Sequence, residues 1–257
     1  MLKIISWNIN GIRAIWKRGD LHWLVDHEPD VICFQETKAE EDQVPKELND
    51  MFVDYYKVYS SSKLRKGYSG VAMYSKIIPD KVEGLGIKEF DDEGRTIIAS
   101  FGKTTIITSY FPNGGQGPHR LEYKLKFYDA FLKKIIALRK KGQRIIFCGD
   151  VNTAHTEHDL ARPKANEQNT GFLPIERAWI DKVIKNDFID VYRTAHPDAR
   201  GEYTYWDQKT ASRERNVGWR IDYFFMDKKY FKDVKNITHH TGTMGSDHCP
   251  VELVLKN

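Results

Sequence analysis

Near the middle of the chain, Ile145-Ile146-Phe147-Cys148-Gly149-Asp150-Val151-Asn152 runs four apolar residues into a glycine, then a carboxylate and an amide. The apolar run reads as a strand covered on both faces, ending abruptly at Gly149. Asp150 and Asn152 flank Val151, so an extended backbone turns both polar side chains to one face. A carboxylate beside an amide is suited to orienting a water. An Asx turn that merely caps the strand would use the same residues. Weight comes from similar endings elsewhere: Asn8 and Asn10, Glu36, Tyr110 and Asn113, Asp222, and Asp247-His248. Together they supply carboxylates, amides and one histidine, with no cysteine among them. An oxygen-rich set suits a hard cation such as Mg2+ or Mn2+. Its chemistry is metal-assisted attack of water on a phosphate ester.

Converging those residues takes many strands ending at one place. Residues 2–7, 31–34, 56–60, 70–74, 96–101, 104–110, 203–206, 221–226 and 250–255 read as strands. The pair 96–101 and 104–110 forms a hairpin turning at Gly102-Lys103. Helices are expected over 21–27, ending before Pro29, over the polar stretch 40–49, and from Pro174 to Lys185. A long helix ends near Lys140, with Leu121, Leu125, Tyr128, Leu132 and Ile135 as its buried stripe. Lys133, Lys134, Arg139, Lys140 and Lys141 form its solvated basic end. The stretch 61–69 is a basic loop, and 155–171 is irregular. His155 and His158 are loop residues rather than zinc ligands, because no further ligand cluster joins them. With no repeat or linker, residues 1–257 make one α/β domain of many short strands.

The chain has 257 residues, 40% hydrophobic and 30% charged, which describes a soluble globular protein with a sizeable core. No apolar run nears the about 18 residues that span a bilayer. The N-terminus lacks the pattern of a signal peptide, so an intracellular protein without membrane contact is expected. Cys33, Cys148 and Cys249 are too scattered for a disulfide framework and read as buried thiols. A net charge of +4 permits a nucleic-acid partner without requiring one.

Seven segments in order resemble the exonuclease III type of apurinic/apyrimidinic (AP) endonucleases, within the endonuclease/exonuclease/phosphatase superfamily. They are Ser6-Trp7-Asn8-Ile9-Asn10-Gly11-Ile12-Arg13, Gln35-Glu36-Thr37-Lys38, Gly67-Tyr68-Ser69-Gly70-Val71 and Tyr110-Phe111-Pro112-Asn113. Gly149-Asp150-Val151-Asn152, Asn216 to Tyr223 and Ser246-Asp247-His248-Cys249-Pro250 complete the set. Each alone is weak; seven in order across the chain are specific. The resemblance implies a four-layered α/β sandwich, DNase I-like, with two packed sheets flanked by helices. It implies Mg2+-dependent cleavage of the phosphodiester 5′ to an abasic site in double-stranded DNA, leaving a 3′-hydroxyl. Trimming of DNA 3′ ends would accompany it. A monomer working in the cytoplasm, at the nucleoid, fits that picture.

The resemblance also implies roles. Glu36 is the principal metal ligand, in the neighbourhood of Asn8, Asn10 and Asp247. Asp150 orients or deprotonates the attacking water and Asn152 holds water and phosphate. His248 contacts a non-bridging phosphate oxygen, with Asp222 orienting its ring. Tyr110 and Asn113 contact the scissile phosphate. Tyr205, Trp219 and Ile221 line a pocket for the extruded lesion. Arg13, Lys38, Tyr68, Asn166 and Asn169, with Arg65 and Lys66 nearby, contact the DNA backbone. Trp7 and Trp16 are packing residues.

Gln116 and Lys209 stand where some relatives place an arginine and a methionine that wedge into the duplex. No counterpart of the N-terminal extension of some animal relatives is expected. Another phosphoesterase of the superfamily, a DNase I-like nuclease or a small-molecule phosphatase, would need no Asn216–Tyr223 segment. A catalytically silent DNA-binding module would not need Glu36, Asp150 and His248.

Overall fold

The computed structural model describes residues 1–256. Among the described residues, twelve strands fall into two six-stranded sheets. The first contains β1 (Leu2–Asn8), β2 (Val31–Gln35), β3 (Tyr56–Ser60), β4 (Val71–Ser75), β11 (Val234–His239) and β12 (Val251–Leu255), in the order β11-β12-β1-β2-β4-β3. The second contains β5 (Lys81–Glu83), β6 (Thr96–Phe101), β7 (Thr104–Ser109), β8 (Arg144–Asp150), β9 (Phe188–Asp190) and β10 (Asp222–Asp227), in the order β5-β6-β7-β8-β10-β9. Each sheet has a single parallel pair at its centre, β1 with β2 and β7 with β8. These four strands send their C-terminal ends to one edge of the sandwich. The antiparallel partners β10 and β12 begin there.

The period-2 alternation sorts side chains into layers. Ile146 and Cys148 of β8 face the other sheet, packing with Ile4, Cys33, Met73 and Leu253. Ile145 and Phe147 face outward onto the helix Pro118–Lys140 and the helix Pro174–Lys185. On the opposite side Ile5, Trp7 and Phe34 meet the helices Ile12–Arg18, Trp23–His27 and Lys46–Met51. Helix, sheet, sheet, helix: the four layers implied by the resemblance are present. All three cysteines are buried and free.

Five expectations change. The strand at the centre runs on through Asp150, and Gly149 pairs with Tyr223 within it. What Gly149 permits is close approach: a Cβ there would lie 2.0 Å from the Ser109 carbonyl oxygen of β7. The stretch 203–206 forms no strand. Tyr205 bridges singly to Trp219 on one side and His248 on the other, so the segment stitches two loops instead of extending a sheet. The long helix buries Lys124, Phe127, Tyr128, Phe131, Leu132, Ile135 and Leu138, leaving Leu121 and Leu125 half-buried. Its aromatic residues, packed around Phe111 and Trp179, win the core-facing stripe. Its basic end is not wholly solvated, since Lys134 pairs with Glu83 at 3.3 Å and Arg139 with Asp227 at 3.4 Å.

Residues 40–49 split into a 3-10 turn, Glu41–Gln43, and a helix starting after Pro45, whose fixed φ favours a first turn. The helix Ile12–Arg18 and the strands β5, β9 and β11 add to the elements read from sequence. No helix among the described residues is long and apolar enough to cross a membrane.

Candidate active site

At the edge where β1, β2, β7 and β8 end, the chain opens a cleft of about 500 Å3. Asn10, Glu36, Lys38, Tyr110, Asn113, Asp150, Asn152, Tyr205, Trp219, Ile221, Asp247 and His248 all line it. Asn8 and Asp222 lie directly behind this lining, both buried. Thr170, Gly171 and Asp207 also line it and were missed in the sequence. Nothing in their residue types marks them; only the fold brings them in.

The floor is built at strand ends. Asn8 closes β1 opposite Gln35, the last residue of β2, and Glu36 follows. Asp150 closes β8 directly across from Asp222, the first residue of β10. Asn8 Nδ2 donates to Glu36 Oε1 at 2.9 Å and to Asp150 Oδ2 at 3.0 Å, tying the two sheets together at the site. Its Oδ1 accepts the Asn10 backbone N–H at 3.1 Å, so both ends of the Asn8 amide are engaged by protein groups. Asn10 Nδ2 donates to Asp247 Oδ1 at 3.0 Å. Lys38 Nζ lies 2.8 Å from Glu36 Oε2 and also donates to Asn10 Oδ1.

Asp150 Oδ1 accepts the Asn152 N–H at 2.8 Å, the short-range loop its spacing implied. The Asn152 side chain donates to the Phe111 carbonyl at 2.9 Å, and its Oδ1 accepts from Asn113 Nδ2 at 3.1 Å. His248 Nδ1 pairs with Asp222 Oδ2 at 2.7 Å, and its Nε2 stands 3.8 Å from Asp150 Oδ2. Four residues here, Asn10, Glu36, Lys38 and Asn152, have φ between 46 and 54°. Left-handed backbone is uncommon outside glycine, and its clustering marks a site that the surrounding packing over-determines.

Charge is concentrated. Glu36, Asp150 and His248 each offer a ligand atom within 4.8 Å of the others, a cluster that could hold a metal ion. Burial pushes the Glu36 carboxyl up, but Lys38 and the Asn8 amide outweigh it and the net shift is downward. Burial raises Asp150 to about 7; His248 opposes this, while Asp222 and Glu36 reinforce it. His248 goes the other way from its burial: Asp222, then Asp150 and Asp247, raise it to about 10. Burial and the nearby Glu36 hold the Tyr110 hydroxyl well above its usual range, so it remains a proton donor. The Lys38 ammonium already occupies Glu36 Oε2. That contact and the oxygen-rich donors fit a small hard cation.

The wall beside this floor is apolar. Tyr205 and Trp219 exchange backbone hydrogen bonds, both 2.9 Å, and pack with Ile221, Leu160, Phe172 and Ala154. The Tyr205 ring lies 4.9 Å from the His248 ring. Trp219 is only partly buried, as a wall residue should be. Outside the cleft, Arg13 donates to the Lys38 carbonyl at 3.4 Å. The Tyr68 hydroxyl accepts from Arg95 and Arg120 at 2.8 and 2.7 Å. Asn169 donates to Asn166 at 2.9 Å. Gln116 and Lys209 are exposed and do not line the cleft. Trp7 is buried and donates to the His248 carbonyl at 3.1 Å, while Trp16 packs against His22. His155 faces Asp181 at 2.9 Å.

The pattern of the Endonuclease/Exonuclease/phosphatase family matches residues 5–248. An exodeoxyribonuclease of Bacillus subtilis is 40% identical over 99% of both chains. The DNA repair nuclease APEX1 of Danio rerio is 38% identical over 99% of this chain and 82% of its own. An AP endonuclease from Archaeoglobus fulgidus superposes with a TM-score of 0.87 at 30% identity, covering all of both chains. With matches of that length on this cleft and this fold, the chain belongs to the Endonuclease/Exonuclease/phosphatase family, in its exonuclease III-type branch of AP endonucleases.

Proposed function

We propose that the cleft hydrolyses the phosphodiester 5′ to an abasic site in double-stranded DNA, leaving a 3′-hydroxyl. Mg2+ is the working cation and Mn2+ a substitute, and the same chemistry serves 3′-5′ exonuclease and 3′-phosphodiesterase work. The protein acts as a monomer, in the cytoplasm and on the nucleoid. One observation carries this reading: Glu36, Asp150 and His248 meet within 4.8 Å, and the same cleft is walled by Tyr205, Trp219 and Ile221. Chemistry for a phosphate ester and a bounded apolar pocket share one space.

Glu36, with Asn8, Asn10 and Asp247 beside it, would hold a divalent cation, which would supply Lewis-acid stabilisation of charge on the phosphate. The residues do the rest. Asp150, in its ionised form, accepts the proton of the attacking water. Asn152, anchored by Asn113 and the Phe111 carbonyl, fixes water and phosphate relative to that carboxylate. His248, kept charged by Asp222, donates to a non-bridging oxygen from Nε2. Tyr110 and Asn113 add donors, all pre-set at the position where negative charge develops. Arg13, Lys38, Tyr68, Asn166 and Asn169 hold the backbone of the duplex, with Gln116 and Lys209 at the rim.

The test is one incision assay on an abasic duplex and an intact duplex across a range of Mg2+ concentrations. Rapid Mg2+-dependent incision of the abasic strand alone is the expected result. Equal cleavage of both would make the protein a general nuclease.

A further inference from the structure

Lys124 and Glu176 form an ion pair at 2.6 Å in which neither side chain is exposed at all. The chemistry above uses neither. Charges so buried are kept only where their geometry is fully satisfied, and here the bonds reach three residues that line the cleft, Asn152, Thr170 and Gly171.

Lys124 lies on the helix Pro118–Lys140 and spends its ammonium on three acceptors. They are the Asn152 carbonyl at 2.7 Å, Thr153 Oγ1 at 3.0 Å and Glu176 Oε1. Glu176, in the first turn of the helix Pro174–Lys185, accepts four donors. Besides Lys124 these are Thr170 Oγ1 at 2.8 Å, the Gly171 N–H at 2.6 Å and the Leu173 N–H at 3.1 Å. Gly171 closes the ring: its carbonyl accepts the Ala154 N–H at 2.8 Å. A Cβ on Gly171 would stand 3.3 Å from the Asn152 carbonyl oxygen and 3.4 Å from the Trp219 ring, so this backbone is wedged between the two.

We propose that Lys124 is a positioning residue for Asn152, and that with Glu176 it forms a buried strut joining the catalytic loop 151–154 to the loop 167–173. The proposal rests on the role given to Asn152 above. Asn152 is left-handed, with φ of 54°, and the ammonium on its carbonyl holds that peptide in place. The side-chain amide is aimed as a consequence. The other end of the strut sets Gly171 against Trp219, so chemistry and lesion wall are registered to each other through one buried pair. A misplacement of about 1 Å at such a loop can cost about 100-fold in rate.

The experiment uses Lys124→Met, Lys124→Met/Glu176→Gln and Asn152→Ala, with single-turnover incision of an abasic duplex, DNA affinity and melting temperature measured for each. Lys124→Met strands a buried carboxylate and is expected to melt early. The double variant removes both charges in matching shapes, and the amide that replaces the Glu176 carboxylate still reaches Thr170 and the Gly171 N–H. It should melt near the parent and bind DNA within about threefold, yet incise about tenfold or more slowly, a loss in rate rather than affinity. A double variant that incises at the parental rate while Asn152→Ala is slow overturns the strut alone. A fully active Asn152→Ala overturns the role of Asn152, and with it any route from Lys124 through that residue.

Discussion

His248 Nδ1 lies 2.7 Å from Asp222 Oδ2, and the far nitrogen of the same ring faces Asp150 Oδ2 at 3.8 Å. The imidazole is thus held between two buried carboxylates and stays charged well above neutrality. Asp222→Asn keeps a hydrogen-bonding partner and removes the charge, so the imidazolium should be lost at lower pH. The single-turnover rate of that variant should fall by about tenfold or more at pH 8, and by less at pH 6. A pH profile superimposable on the parent's would remove Asp222 from this role.

The same groups set how stability responds to pH. His248 titrates near 10 folded against 6.5 as its ordinary value, so its contribution is complete below 6.5 and is lost as pH rises through 10. Asp150 is raised from 3.8 to about 7, so the folded state again holds the proton more tightly, and stability again falls with rising pH. The two share a sign but not a window: Asp150 acts from 3.8 to about 7 and His248 from 6.5 to about 10, so between about pH 7 and 9 the slope belongs to His248. Without divalent cation the melting temperature should therefore drop across that window, and His248→Asn should flatten the slope. A parent curve that is level or rises with pH would contradict these assignments.

Much of this was legible in the sequence because strand ends carry the site. Asp150, Asn152, Glu36 and His248 lie beside apolar runs whose periodicity survives without an alignment. The edge strands β5 and β11 escaped because most of their residues face solvent or are only half-buried, which erases the alternation. Nothing in the residues around Lys124 sets it apart from the other lysines of its helix, and only the packing of Glu176 against it does so. Gly171 and Thr170 reach the cleft through tertiary contacts that no local pattern encodes.

Glu36 carries a left-handed backbone and is lowered in pKa by Lys38 and Asn8 despite its burial. Glu36→Gln keeps the shape but removes the charge proposed to hold the cation, together with the Lys38 ion pair. The Mg2+ concentration for half-maximal incision should rise by about tenfold or more, with metal affinity by calorimetry falling in parallel. Unchanged activity at low Mg2+ would take Glu36 out of the ligand set.

Trp219 separates a lesion wall from a core residue. As part of the wall with Tyr205 and Ile221, its truncation to alanine enlarges the pocket, so abasic incision falls while cleavage of intact duplex falls less or rises. A core role would instead cost about 3–5 kcal/mol of stability and lower both activities alike. The abasic-to-intact ratio on one folded preparation distinguishes them, and a constant ratio with a lowered melting temperature sinks the pocket assignment.

The account stands most directly on Asp150. It is buried, tied to Asn8 and to the Asn152 N–H, and faces His248 across 3.8 Å. The decisive measurement is single-turnover incision of an abasic duplex with Mg2+ by Asp150→Asn, alongside its affinity for the same DNA. A rate loss of about 100-fold or more with binding retained or tightened is the predicted result. Fast cleavage with binding abolished would contradict it.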